Sequence, residues 1–348
     1  MLMKSLFHRG SRLLIAVMDF FVLFLFCLPV ALSKLKRKNK STSFQRILIL
    51  ELWGIGDLVM MSTILKPLKD RYPYSKITLL SKTHGKKLFG ESGYISEFSE
   101  FDFPWTRFKG KYKLWKWDWK GILVTMMGLR RQKFDLILDA RADIRNNVLS
   151  FFIGGKRRIG YDWMGGGFFL TDVLCKSYKS KHRVDAWVNI LDHLGIKIEK
   201  PHPYIYVPEE DLRRADSFLS EYVSEGRHLV IGIHPGAGVK TRCWPIDRFA
   251  KLGEHLKDAY NARVIVFIEP EGYGEDFPMQ REFIKAKVSL QEMVALIKKI
   301  DILLCNDSGA MHIAIVVDTP VVAIFGPGDV KRIGPYKDTV VSIIRKDF

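Results

Sequence analysis

From residue 46 onward, short apolar runs alternate with longer segments whose apolar positions recur at helical spacing. Such alternation predicts parallel β-strands connected by crossover helices. The series restarts at residues 228–233, after a boundary around residues 202–215. We therefore expect two doubly wound α/β domains that face each other, one at 46–210 and one at 211–348. The predicted strands are 46–52, 76–81, 134–140, 228–233, 263–268, 301–305 and 320–325, and the longer predicted helices are 57–72, 245–260 and 289–300.

The first 45 residues have a different pattern, a single long apolar run between basic clusters. Residues 13–32 contain one charge, Asp19, and have about the length that crosses a bilayer core of roughly 30 Å. Basic residues precede this run, and residues 34–40 (KLKRKNK) follow it; a cleaved signal peptide would have a shorter apolar run and a better cleavage site. We expect residues 1–45 to form a membrane anchor and a basic linker. The anchor can span the bilayer, lie in its plane, or be a helix buried in the protein.

The composition narrows the classes of partner without selecting one. Of the 348 residues, 47% are hydrophobic and 27% are charged, which is typical of a globular protein. The formal net charge of +17 favours nucleic acid, an anionic membrane surface or an acidic substrate. The cysteines at positions 27, 175, 243 and 305 have no C-x-x-C spacing, which argues against a zinc site or a disulfide framework and fits a reducing compartment.

The first predicted strand runs into a glycine turn, in the segment LILELWGIGDLVMMST at residues 48–63. Gly54 and Gly56 match the first two glycines of a dinucleotide-binding fingerprint, but Val59 stands where the third belongs. The second strand ends in Lys82 and has no acid to hold a ribose. These departures argue against dinucleotide binding.

Asp57 closes that turn, at the carboxyl end of the first strand and the start of the next helix. Ligand crevices of open α/β sheets form at such positions. Two roles remain open on chemical grounds. The side chain can cap the helix, or it can accept a proton as a general base, since a helix N-terminus favours a charged carboxylate.

Two loops in the second half have the features of a phosphate site. Residues 234–245 (HPGAGVKTRCWP) provide glycines for close backbone approach, with Lys240 and Arg242 as cations. This loop lacks the G-K-[ST] ending of a P-loop. Residues 306–312 (NDSGAMH) provide Ser308, Gly309 and the backbone N–H groups of a second helix start. Together the two loops favour a diphosphate site.

Four segments, taken together and in this order, resemble glycosyltransferase family 9, the ADP-heptose:lipopolysaccharide heptosyltransferases and their relatives. The resemblance extends over about residues 46–336. The segments are ILELWGIGDLVMMSTILKPLKDRYP from residue 49, FDLILDARADIRNNVLSFFIGGKRRIGYD from 134, IGIHPGAGVKTRCWPIDRFAKL from 231, and LLCNDSGAMHIAIVVDTPVVAIFGPGD from 303.

The resemblance implies a GT-B fold, in which two Rossmann-like domains bind the acceptor and the nucleotide-sugar on either side of a cleft. It also implies transfer with inversion at the anomeric carbon and without a metal, and the sequence contains no D-x-D pair that would clamp one. No cofactor is expected, since the nucleotide-sugar is itself a substrate.

By the same resemblance, Asp57 matches the proposed catalytic base and Arg242 a cation that neutralises the leaving diphosphate. For His312, an ordinary helix histidine is the alternative to a ligand contact. The donor phosphate and sugar candidates are Gly236, Lys240, Arg242, Asp307, Ser308, Gly309 and His312, and the acceptor-side candidates are Gly54, Gly56, Lys82, Arg141 and Arg145.

The chain departs from the family pattern in three places. Residues 269–288 are compressed, so the carboxylate that holds the ribose is Glu269, Glu271 or Glu275. The C-terminal tail is short, and the hydrophobic N-terminus is an addition. These departures bear on the identity of the donor more than on the fold.

Residues 103–121 (FPWTRFKGKYKLWKWDWKG) interleave tryptophans with basic residues. Such mixtures favour a bilayer interface or anionic head groups. Nucleic acid would also suit them, but no nucleic-acid-binding module accompanies the segment. We expect Trp115, Trp117 and Trp119 to contact the membrane near the acceptor, and the alternative is that these tryptophans pack on the domain.

The sequence therefore predicts a membrane-associated glycosyltransferase that moves a sugar, expected to be heptose from ADP-heptose, to an anionic lipid-linked or lipopolysaccharide core acceptor. We expect it at the cytoplasmic face of the bacterial inner membrane, because nucleotide-sugars are cytosolic. The alternatives are a related transferase that uses another nucleotide-sugar for a different surface glycan, and a catalytically idle membrane scaffold with the same fold.

Overall fold

The computed structural model describes residues 43–107, 113–174, 181–222, 228–268, 277–278, 283–336 and 341–345. The predicted membrane anchor therefore lies outside the described residues, as do the three ribose candidates Glu269, Glu271 and Glu275. Among the residues that are described, no helix combines the length and the apolar character needed to span a bilayer.

The first half of the chain forms a six-stranded parallel sheet. Its strands are β1 (Arg46–Leu50), β2 (Lys76–Ser81), β3 (Glu97–Glu100), β4 (Leu136–Leu138), β5 (Arg157–Gly160) and β6 (Asp172–Val173). They lie in the order β3-β2-β1-β4-β5-β6, which is that of a Rossmann-type doubly wound sheet. The chain thus winds outward from β1, first to one side of the sheet and then to the other.

Helices cover both faces of this sheet: α1 (Ile55–Met61), α2 (Leu65–Arg71), α3 (His84–Phe89), α4 (Trp119–Arg131), α5 (Ile144–Ile153) and α6 (Arg183–His193). In β1, Ile47 and Ile49 enter one apolar cluster, whereas Leu48 enters the cluster on the other face. This alternation follows from the two-residue period of a strand that is buried on both faces.

The predicted helix at 57–72 is divided by a short 3-10 turn, Ser62–Ile64, between α1 and α2. Pro67 lacks the N–H that would bond one turn back, and its ring crowds that turn. The hydroxyls of Ser62 and Thr63 donate to the carbonyls of Val59 and Met60, which further loosens the α-helical ladder.

The second half repeats the architecture. Its strands are β7 (Val230–His234), β8 (Arg263–Phe267), β9 (Ile284–Ala286), β10 (Ile302–Asn306), β11 (Val321–Phe325) and β12 (Val341–Arg345), and its helices are α7 (Glu209–Ser220), α8 (Ile246–Tyr260), α9 (Leu290–Lys299), α10 (Gly309–Val316) and α11 (Val330–Ile333). The strand order is β12-β11-β10-β7-β8-β9, which is the same winding as in the first sheet. The expectation of two doubly wound parallel sheets is confirmed.

The two halves pack directly on each other. Helix α1 of the first half lies against α10 of the second, and one apolar cluster runs through both halves, from Ile47 and Leu58 to Ala310 and Leu303. Helix α7 packs on α9, so the second half begins with the helix that starts at Glu209. The two halves therefore meet at α1 and α10, the helices that directly follow β1 and β10.

Candidate active site between the two sheets

Each sheet has one point where the winding reverses, between β1 and β4 in the first sheet and between β7 and β10 in the second. Loops that follow the strands at such a point diverge and leave a crevice at the carboxyl edge, where ligands of open α/β sheets bind. The loops after β1, β4, β7 and β10, with the first turns of the helices that follow them, contain the predicted catalytic and donor residues and every acceptor-side candidate except Lys82. The topology therefore accounts for their convergence.

Asp57 lies in the first turn of α1, which begins at Ile55 with Gly54 as its N-cap residue. Its carboxylate does not take the capping role, since α1 has no side-chain capping bond. Instead, Oδ1 lies 2.9 Å from Nη1 of Arg141 and 2.8 Å from Nη1 of Arg183. Both of these contacts are made by the same oxygen, Oδ1.

Arg141 is positioned by the loop after β4. Its guanidinium lies 4.1 Å from the centre of the Trp53 ring, and its backbone N–H donates to Oδ1 of Asp139 at 2.9 Å. The next residue, Ala142, adopts a left-handed backbone with φ of 63°. Such backbone is costly for a residue with a Cβ and is found where a loop is held in a functional geometry. Arg141 is thus fixed from three directions.

Arg183 was not among the predicted site residues. It is the first residue of α6, where His182 caps the helix by accepting a bond from the Val184 N–H at 3.2 Å. It lies outside the four family segments, in the region between the two strand series. A basic residue directly after a capping residue was the available signal, and it is too common to single out a site.

Two further acids lie beneath the Asp57 ion pairs and are buried. Burial raises the pKa of Glu51 well above its usual range, and the charge of Asp57 adds to the effect. Burial likewise raises the pKa of Asp139 to about 7. Both carboxyls therefore hold a proton more tightly than an exposed acid does, because the nearby charge of Arg141 offsets only part of their removal from water. Asp57 is the acid of this group that forms ion pairs, with Arg141 and Arg183.

On the opposite side, Asn306 connects the two predicted phosphate loops. Its Nδ2 donates to the Pro235 carbonyl at 2.7 Å, and its Oδ1 accepts from the Trp244 N–H at 2.8 Å. Asn306 is fully buried at the end of β10. The loop at 234–245 is therefore held in register with the loop at 306–309.

Asp307 and Arg242 form the charged part of this second crevice. The Arg242 Nη1 atom lies 3.5 Å from Oδ2 of Asp307, which is too long for a hydrogen bond. Burial raises the pKa of Asp307, and the charge of Arg242 partly offsets this. The backbone of Gly328 lies directly against the same carboxylate, so a Cβ at that position would collide with it. Arg242 keeps part of its surface exposed and can turn to a ligand.

His312 joins the two halves at the site. A Cβ added to Gly56 would lie 2.5 Å from the His312 ring, and one added to Gly309 would lie 2.8 Å from Cβ of Ile55. Glycine at both positions is therefore what lets α1 and α10 approach. Burial lowers the pKa of His312 to about 4, although the charge of Asp57 opposes this, so the ring is neutral at pH 7.

Some predicted residues lie apart from this cluster. Lys82 pairs with Asp102 at 3.1 Å, together with Arg107, and Arg145 pairs with Asp143, which caps α5. These bonds serve the local structure. Lys240 is exposed on a 3-10 turn, whereas Gly236 is buried beneath the loop. The hydroxyl of Ser308 is buried and has no hydrogen-bond partner, so it remains able to bond a ligand.

The crevice beside Asp57 is small. A cavity of about 10 Å³ is lined by Glu51, Asp57, Met60, Ala140, Arg141, Arg183 and Trp187. This is room for about one water molecule. Among the described residues, no group of three or more histidine, cysteine or acidic side chains has an arrangement that could hold a metal ion.

The sequence matches the profile of glycosyltransferase family 9 (heptosyltransferase) over residues 124–347. The lipopolysaccharide core heptosyltransferase OpsX of Haemophilus influenzae is 24% identical over 314 residues, which is 86% of this chain and 84% of that protein.

Two solved structures share the fold. A family 9 glycosyltransferase from Veillonella parvula superposes with a TM-score of 0.72 at 23% identity, with 86% of this chain and 87% of that one covered. The E. coli heptosyltransferase WaaC, solved with ADP-2-deoxy-2-fluoro heptose, superposes with a TM-score of 0.63 at 15% identity, with 87% and 94% covered. The α/β fold of the GT-B type, expected from the sequence, is confirmed.

Proposed function

The chain belongs to glycosyltransferase family 9, and from this premise we propose that it transfers a heptose from ADP-heptose to a lipopolysaccharide core acceptor. That it is a transferase of sugars to such a core follows from the family and from the heptosyltransferases it resembles. The choice of donor rests on the relative solved with an ADP-heptose analogue. We further propose that transfer inverts the anomeric carbon and needs no metal ion.

In this mechanism, Asp57 is the general base. An acceptor hydroxyl donates its proton to Oδ2 while its oxygen forms a bond to the anomeric carbon, and the bond from that carbon to the diphosphate breaks. Arg141 and Arg183 hold Oδ1 at 2.9 and 2.8 Å and so fix the direction of Oδ2. Attack from the face opposite the leaving group inverts the configuration.

The second crevice would bind the departing ADP. The leaving diphosphate carries negative charge, which Arg242 and the exposed Lys240 can neutralise without a metal. The backbone N–H groups at the start of α10 and the buried Ser308 hydroxyl supply further donors. His312 is neutral and would act as a hydrogen-bonding or packing group rather than as a cation.

The observation that carries the proposal is the meeting of the two crevices. Asp57 lies on α1, and α1 packs on α10, whose first turn follows the Asp307–Ser308 loop. A base from one sheet and a diphosphate site from the other thus face each other across one cleft, as transfer between two bound substrates requires. We place the reaction on the cytoplasmic side of the inner membrane, where nucleotide-sugars are made.

The test is a panel of nucleotide-sugars added to the purified full chain, read first by thermal shift and then by transfer. A ligand that binds the folded state raises apparent stability by mass action. We expect ADP-heptose and ADP to raise the unfolding temperature, and UDP- or GDP-sugars to have no effect. A shift with another nucleotide-sugar alone would assign a different donor. No shift with any of them, and no transfer, would indicate the idle scaffold.

A further inference from the structure

Helix α4 has an apolar surface that no described part of the protein covers. Its inward face is held by Ile122 and Leu129, which are buried in the cluster on one side of the first sheet. Its outward face and the 3-10 turn Leu114–Lys116 before it expose large apolar side chains, each at least half exposed, from 50% for Met127 to 78% for Trp115. They are Leu114, Trp115, Trp119, Leu123, Val124 and Met127, which we call the α4 patch.

Basic residues border the α4 patch. At helical spacing, Lys120, Val124, Met127 and Arg131 form one stripe, so the apolar centre has a cation at each end. From residue 113 to residue 131 the chain has five basic residues, Lys113, Lys116, Lys120, Arg130 and Arg131, and a single acid, Asp118, which is engaged as the N-cap of α4. A surface of this kind is complementary to the interface of an anionic bilayer, where an apolar acyl region lies beneath negatively charged head groups.

The tryptophans before α4 hold the patch in place. Trp117 packs between Trp105 and Trp119, with ring centres 5.6 and 5.1 Å apart, and its indole nitrogen is buried. The Trp119 indole donates to the Leu114 carbonyl at 3.0 Å. Trp117 therefore serves as the support of the patch rather than a contact with the membrane, which modifies the expectation for this residue, while Trp115 and Trp119 remain exposed.

We propose that the α4 patch docks this protein on an anionic phospholipid bilayer, with α4 lying in the plane of the interface. Trp115, Leu123 and Met127 enter the boundary of the acyl chains, and the charged ends of the lysine and arginine side chains reach the lipid phosphates. Docking here places the carboxyl edge of the first sheet, from which Asp57 projects, next to the membrane, because α4 starts at that edge. The proposal does not depend on which sugar is transferred.

The charge pattern selects this occupant over a second copy of the chain. In a two-fold dimer the patch of one copy would pack against the same patch of the other. Lys120 and Arg131 of the two copies would then face each other and repel. An anionic bilayer instead offers the opposite charge over the whole surface. The remaining occupant is the apolar segment at 13–32 of the same chain, which the experiment below separates from lipid.

The experiment uses the full chain with benzoylphenylalanine, a photo-reactive residue, in place of Leu123. The control places it at Tyr74, which is fully exposed in the turn before β2 and follows a helix packed on the other face of the sheet. Both proteins are irradiated with vesicles of phosphatidylglycerol or of phosphatidylcholine, and the adducts are identified by mass spectrometry. We expect a lipid adduct at position 123 in phosphatidylglycerol, at least about tenfold above position 74, that falls as salt screens the charges.

The proposal is overturned if position 123 gives no lipid adduct, if it cross-links to residues 13–32, or if it cross-links to a second chain. A charge-reversed pair, Lys120→Glu with Arg131→Glu, should remove the adduct. The matched control, Lys251→Glu with Lys298→Glu, makes the same change in net charge at two exposed lysines of the other half and should leave the adduct unchanged. These readouts are independent of enzymatic activity, so they test docking separately from the proposed transfer.

Discussion

The two sheets have the same winding, yet their crevices have opposite chemistry. The first crevice contains three acids, Glu51, Asp57 and Asp139, of which Asp57 pairs with two arginines. In the described part of the chain, the second contains Asp307, with Arg242 3.5 Å away, beside a neutral histidine and a run of backbone donors. One scaffold thus fixes a carboxylate in one half and leaves cations and N–H groups for an anion in the other.

The comparison separates what the fold provides from what the loops provide. The fold brings the loops after β1 and β4, or after β7 and β10, to one edge of each sheet. The side chains on those loops then determine whether the crevice presents a negative charge or binds one. Substitutions that remove or reverse the charge a crevice supplies should therefore lower activity far more than substitutions that keep that charge.

The largest effect is expected for Asp57→Asn, which removes the base but keeps the shape. Turnover should fall by about 10²-fold or more, the usual range for loss of a general base. Binding of ADP-heptose should be nearly unchanged, since the donor crevice is built by the other sheet. Steady-state kinetics with calorimetric titration of the donor would measure both. Asp70→Asn, at an exposed ion pair on α2, is the control; full activity in Asp57→Asn would remove Asp57 from the chemistry.

The next effect is expected for Arg242→Ala in the second crevice. ADP should bind about tenfold or more weakly, because a charged hydrogen-bond partner of the diphosphate is lost, and transfer should slow as the leaving group loses its counter-charge. Lys240→Ala, two residues away on the exposed side of the turn, should have a smaller effect. Equal ADP affinity in Arg242→Ala and wild type would show that another cation receives the diphosphate.

Asp139→Asn tests the first crevice through stability rather than turnover. The pKa of Asp139 is raised to about 7 in the fold, so the folded state holds a proton that the unfolded chain has released. Wild-type stability should therefore fall as pH rises from about 4 to about 7. Asparagine cannot titrate, so the free energy of unfolding of the variant should lack this slope. The difference in that free energy between the variant and wild type should be at least about 1 kcal/mol more favourable to the variant at pH 8 than at pH 5. Denaturant midpoints at both pH values would measure the difference, and parallel pH profiles would contradict the assignment.

The smallest effect is expected from EDTA. If Arg242 and the backbone donors at the start of α10 neutralise the leaving group, chelation should leave the transfer rate unchanged. Parallel reactions with EDTA, with added Mg²⁺ and with neither would be compared at the same ionic strength. A strict Mg²⁺ requirement would show that a bound metal ion neutralises the leaving group in the second crevice, which would contradict the metal-free scheme.

The sequence was most informative where a residue's position follows from the local pattern. The alternation of strands and helices predicted the doubly wound sheets, and the strand-turn-helix pattern around Gly54 and Asp57 predicted the edge at which Asp57 lies. Arg141 was found because it lies within a family segment. Arg183 was not, since it lies outside those segments and its role arises from a contact with Asp57, 126 residues away in sequence. Asn306 lies within a family segment, but its bond to Pro235, 71 residues away, becomes visible only in the fold.

The tryptophan-rich segment shows the same limit in another form. Its composition indicated an interface but did not tell Trp117, which packs between two other rings, from Trp115, which is exposed. Which ring faces inward depends on the Phe103–Trp105 pair beneath it and on where α4 begins. Neither is encoded in the alternation of aromatic and basic residues itself.

Asn306 has a consequence for how this protein can change over generations. Because Asn306 begins one phosphate loop and bonds Pro235 and Trp244 near the two ends of the other, the two loops are coupled through its side chain. A substitution in one loop will therefore change the effect of a substitution in the other, so the two effects should not add. Any lineage that adopts a different nucleotide-sugar must then alter both loops in concert, or first find a replacement for the amide that joins them.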